Sequence, residues 1–157
     1  MGHLNETIET LHATLPLIAD QSTRPDAARP FTAAFYAFYA DICAGLPEAE
    51  LESVERFATG SAHLIEPALP FLDYNLSDRI EARLASGAQA EDWPIICQLR
   101  STLEGLKEIY AKYLPIEDLI PDDEDLDAAL KTHAKGDAKT LLPPKGIPKS
   151  HWWWAAA

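Results

Sequence analysis

The stretch "DWPIICQLRSTLEGLKEIYAKY", Asp92 to Tyr113, decides the fold class. Its apolar residues Ile96, Leu99, Leu103, Leu106, Tyr110 and Tyr113 recur at intervals of three, four, three, four and three, the spacing of a helix face buried in a bundle. Asp92 is placed to cap this helix, Pro94 suits its first turn, and Pro115 stops it. Glu108 stands four residues before Lys112, which predicts a surface ion pair contributing about 0.2–0.5 kcal/mol.

The same periodicity extends toward the N-terminus. Leu4, Ile8, Leu11, Leu15 and Ile18 form one stripe, with Pro16 expected to kink or end that helix, and "QSTRPDAARP" is expected to reset the chain. Phe31, Phe35, Phe38 and Ile42 predict a second helix closed by Gly45, with Tyr36, Tyr39 and Cys43 on a neighbouring stripe. The aromatic run "FYAFY" is therefore expected in the core, not on a base-stacking surface. A third helix is expected from Pro47 to Gly60, then a short kinked one around Leu64, Ala68 and Phe71, then a brief one capped by Ser77 and stopped by Gly87. A last helix is expected from Asp122 to Lys135, with Gly136 at its end.

These features predict an all-α fold, an irregular bundle of five to seven helices with proline-set corners and an extended C-terminal arm. Residues 1–136 form the expected helical domain. The expected arm, residues 137–157, is basic, rich in Pro and Trp, and packed on that domain. Its Pro143, Pro144 and Pro148 favour an extended path, and Gly146 permits a bend. His151, Trp152, Trp153 and Trp154 are the candidate anchor, because tryptophans left in water would form an exposed apolar patch.

Charge divides the chain more sharply than its net value of −12 suggests. Residues 1–130 carry 24 acids against 8 bases, while residues 131–157 carry 5 lysines against the single acid Asp137. Such a body repels nucleic acid and attracts a basic protein, or the chain's own tail. The longest uncharged run, Pro30 to Ala40, holds 11 residues, too few to span a membrane. With no export signal either, a cytoplasmic location is expected, with Cys43 and Cys97 as reduced core thiols.

Motifs for chemistry are weak. "PDDEDLD", Pro121 to Asp127, alternates acids as a calcium loop does, but Ala128 replaces the needed Gly and Ala134 the needed Glu. "ETLH" places Glu9 and His12 on one helical face, and "HLIE" offers only a reversed partner, His63 and Glu66, for a bundle metal centre. No catalytic signature or phosphate-cradling loop appears. The expected function is therefore non-catalytic binding of a basic protein, of the immunity or antitoxin type that inhibits a toxin directed at nucleic acid, with no cofactor. Its candidate docking acids are Asp122, Asp123, Glu124, Asp125 and Asp127, together with Glu48, Glu52 and Glu55. The alternatives are a metal-dependent bundle enzyme built on Glu9, His12, His63 and Glu66, and a structural subunit, including a homodimer, that exchanges its tail between copies.

Overall fold

The computed structural model describes residues 2–87, 89–134 and 141–156. It is all-α, with no strand among the described residues. Five long helices build the body: α1 (Gly2–Ala19), α2 (Arg24–Ala44), α3 (Glu48–Ile65), α4 (Leu69–Ala85) and α5 (Trp93–Tyr110). Shorter ones follow, α6 (Ile116–Leu119), α7 (Glu124–His133) and α8 (Trp153–Ala156). The last helix, expected over Asp122 to Lys135, is α7 over Glu124–His133, and the backbone is already extended at Ala134; Gly136 and the expected domain boundary lie outside the described residues.

The apolar stripes become the core. Leu4, Leu11, Leu15 and Ile18 of α1 meet Phe31, Phe35 and Phe38 of α2, and Ile96, Leu103, Leu106 and Tyr110 of α5 close the cluster, all nearly inaccessible to water. Phe35 lies between Phe31 and Phe38 on its own helix and also stacks on Tyr110, with ring centres 6.2 Å apart. Tyr110 in turn shares a 2.7 Å hydrogen bond with Ser61 of α3, so both buried hydroxyls are satisfied.

Several boundaries differ from the sequence expectation, each for a local reason. The segment expected to reset the chain is a tight corner followed directly by α2, which runs through Pro30. Arg24 makes the corner: its buried guanidinium donates to the carbonyls of Ile18 (2.7 Å) and Ala19 (3.1 Å), satisfying acceptors that the end of α1 leaves open. Gly60 does not end α3, which continues to Ile65; a 3-10 turn over Glu66–Ala68 absorbs Pro67, and α4 then runs unbroken past Ser77 to Ala85, with Gly87 in the turn beyond it at φ +109°. Asp92 does not cap α5 with its side chain; it accepts from the Gln89 backbone N–H (2.9 Å) and from Arg83 (3.0 Å). The expected Glu108–Lys112 pair is not formed; the Glu108 carboxylate faces α2 instead.

α5 is the axis of the molecule, and its buried surface is not confined to the apolar stripe. Cys97, Arg100, Ser101, Thr102 and Gly105 are buried as well. At Gly105 the ring of Tyr39 crosses so closely that an added Cβ would stand 2.7 Å from the Tyr39 Cγ. Gly105→Ala must therefore push α2 from α5, and thermal or urea unfolding should show a loss of about 1–3 kcal/mol, the usual cost of overpacking a core.

Candidate functional site

The second buried face of α5 is covered by the C-terminal segment. Leu141 and Ile147 pack against the core, and a turn at Pro144–Ile147, closed by a 3.1 Å backbone hydrogen bond, places Gly146 at φ +78°. A Cβ at Gly146 would overlap the Cys43 carbonyl, so the strap lies directly on the end of α2. The tail is not extended throughout: a second turn at Pro148–His151 leads into α8.

His151, Trp153 and Trp154 are buried at 3%, 2% and 5% exposure, and they converge on one hydroxyl. Ser101 Oγ lies 3.0 Å from the Trp153 indole nitrogen, 2.9 Å from that of Trp154 and 2.9 Å from His151 Nδ1. An indole N–H can only donate, so the two tryptophans occupy both lone pairs of the hydroxyl. Ser101 must then donate its own proton to Nδ1, which fixes His151 as the tautomer with hydrogen on Nε2. That nitrogen is 3.2 Å from the Tyr39 hydroxyl and 3.6 Å from Glu108 Oε1, and Tyr39 donates to Glu108 Oε2 at 2.7 Å. The donors thus run one way, from two indoles through Ser101, His151 and Tyr39 to a carboxylate at the surface. The bonds from His151 and Tyr39 hold the Glu108 carboxyl below the ordinary range. Burial, with the bond to Glu108, holds the Tyr39 phenol protonated far above its usual value.

The grouping of serine, histidine and glutamate resembles the parts of a hydrolase but cannot act as one. The Ser101 oxygen is fully buried, and neither lone pair is free to attack. Its chemistry is that of a lock.

An ionic cluster adjoins the lock. Arg100, 3% exposed, holds Asp127 through Nε (2.9 Å) and Nη2 (3.2 Å), reaches Glu104 at 3.0 Å and Asp123 at 3.5 Å, and lies 4.4 Å from the centre of the Trp153 ring. Lys107 binds Asp123. Asp73 of α4 sits among these groups with Oδ1 buried and without a hydrogen-bond partner among the described residues; burial first, then the nearby Asp123 charge, pushes its carboxyl up to about 6.

The candidate docking acids therefore separate. Asp123 and Asp127 face inward onto Lys107 and Arg100, and Asp122 accepts from the Glu124 backbone at 3.1 Å, while Glu124 and Asp125 are exposed. Glu48, Glu52 and Glu55 project to solvent from α3. Of the tail lysines expected over the acidic body, Lys145 and Lys149 are exposed, Lys131 lies 5.1 Å over the Trp152 ring, and Lys135 and Lys139 lie outside the described residues. Glu9 and His12 line a groove of about 420 Å³ between α1 and α3 with Ser53, Arg56 and Phe57. His63, further along α3, and Glu66, in the 3-10 turn after it, do not join them, and among the described residues no three His, Cys, Asp or Glu side chains are grouped to hold a metal. Spacing alone could not reveal the Ser101 lock, because its partners are 50 to 53 residues away.

Ser101→Ala strands two indole N–H groups and the His151 Nδ1 acceptor; a stability loss of about 2–4 kcal/mol by denaturant melt is expected, far above that of removing a surface hydroxyl. Asp73 has the opposite sign. Its folded pKa is raised, so the folded state binds the proton more tightly, and the group costs stability progressively as pH rises from about 4 to about 6. Asp73→Asn should raise the melting temperature at pH 7 and lose that advantage near pH 4. No family model, curated protein or solved structure matches the chain.

Proposed function

We propose that this chain is a non-catalytic protein that docks a basic protein partner, in the manner of an immunity or antitoxin-type inhibitor covering the cationic site of a toxin. The observation that carries this reading is the outer stripe of α3. Glu48, Glu52 and Glu55 recur at helical spacing, are exposed, and have no cation within 4.0 Å among the described residues. Leu51, 45% exposed, sits within the same stripe. An apolar side chain ringed by unpaired acids suits a protein interface, where an apolar centre is desolvated and a charged rim steers the approach. The stripe continues into a shallow groove lined by Glu52, Glu55, Arg56, Thr59 and Gly60. The inward acids Asp123 and Asp127 are committed to Arg100 and Lys107, which leaves the docking role to α3 and to the exposed Glu124 and Asp125 of α7.

A tagged full-length chain should recover one basic protein from native lysate at low salt, with affinity falling at least tenfold between about 50 and about 300 mM salt, as screened surface charges require. The triple reversal Glu48→Lys, Glu52→Lys, Glu55→Lys should abolish that binding with an unchanged melting curve. Binding that is indifferent to salt, or that survives the reversal, overturns the proposal.

A further inference from the structure

Arg79 is a half-buried cation in an acidic protein, with no acid to answer it among the described residues. It lines a cleft of about 160 Å³ between α2, α4 and α5, together with Thr32, Tyr36, Ile95, Gln98 and Leu99. Its only hydrogen bonds among the described residues leave from Nη1, to the Thr32 hydroxyl (3.0 Å) and the Asn75 amide oxygen (3.4 Å), both neutral. The Nε and Nη2 edge has no acceptor among the described residues. Arg100 uses that same edge to clasp Asp127.

The surrounding charge makes the situation sharper. Arg83 pairs with Asp92, and no described carboxylate lies within 4.0 Å of Arg79. The neighbours that bear on it electrostatically are Arg29 and Arg83, and burial together with these like charges pulls its pKa down. A desolvated guanidinium among like charges is unfavourable unless something negative meets it.

We propose that this cleft binds a small organic carboxylate, its head held by the Nε and Nη2 edge of Arg79 with the Gln98 amide as a second donor, and its short apolar body lying against Ile95, Leu99 and Tyr36. Three features select this class. The volume is below the roughly 300–1,000 Å³ of sites for drug-sized ligands, which limits the occupant to a few heavy atoms. Ile95 is 38% exposed at the cleft and offers an apolar surface that an inorganic anion would not use. The chain's net charge of −12 opposes a phosphate dianion more strongly than a carboxylate monoanion.

The test is titration of the isotopically labelled full-length chain, followed by backbone amide shifts, with butyrate, its neutral amide butyramide, and inorganic phosphate as probes. Butyrate should shift Thr32, Tyr36, Gln98 and Leu99 saturably with a Kd of about 1 mM, a strength within reach of so small a ligand. Butyramide, phosphate, and butyrate on Arg79→Gln should each bind at least tenfold more weakly. Should Arg79→Gln not fold, Ile95→Glu puts a negative charge at the exposed wall and should weaken butyrate comparably. Absence of saturable butyrate shifts at these amides overturns the proposal, as does equal binding of butyramide or undiminished binding by the variant that folds. Tighter binding of phosphate than butyrate overturns the assignment of a carboxylate.

Discussion

A hydroxyl oxygen has two lone pairs and one proton, and at Ser101 all three are committed. This saturation sets the direction of every hydrogen bond out to Glu108 and selects the ring tautomer of His151. It also seats the tail on α5. Because Tyr39 belongs to α2 and Ser101 and Glu108 to α5, the chain of donors joins the same two helices that the Tyr39 ring packs together at Gly105. Close packing and polar satisfaction thus depend on each other here. A ring displaced from Gly105 would also lose its aim at Glu108 and His151.

The acidic body is two populations of carboxylates with different work. Those on α5 and α7 surround Arg100 and Lys107, where burial makes each ion pair stronger and also makes any surplus charge expensive. Asp73 is that surplus, which is why its proton is held to a higher pH than those of ordinary carboxylates. The acids of α3 face water, contribute little to the fold, and remain free to act on another molecule. Arg100 connects the populations of the core, since its guanidinium meets carboxylates on one side and the Trp153 ring on the other. Among the described residues, the tail is held chiefly by rings, a hydroxyl and one guanidinium, with Lys145 and Lys149 exposed and in no ion pair.

The bundle was legible because burial of an apolar stripe leaves a period of three and four in the sequence, and α1, α2 and α5 carry it plainly. Boundaries were less legible where side chains from elsewhere intervene. Arg24 turns an apparent linker into a capped corner, and Gly60 is tolerated inside α3 because packing of Val54, Phe57, Ala58 and Ala62 outweighs its weak helix preference. The covered second face of α5 was hidden for another reason: apart from Cys97, already read as a core thiol, its Arg100, Ser101 and Gly105 read as a polar or small outer face until their partners come into place. Asp123 and Asp127 read as surface acids because a sequence shows charge but not which cation has folded beneath it. The tryptophans signalled that something must cover them, without indicating that a single serine would receive two of them.

Cys97 lies beneath this lid, fully buried, with its thiol 3.5 Å from the Trp153 carbonyl and pushed up to about 12 by burial. A thiol so placed is chemically silent, because both the thiolate and the path for an electrophile are denied to it. Its silence is tied to the position of the tail, not to the unfolding of the bundle as a whole. Cys97 is thereby a built-in reporter: where reclosing outpaces the reagent, the rate at which a thiol reagent finds it measures the small population of molecules whose C-terminal strap is open, too few to change the average structure.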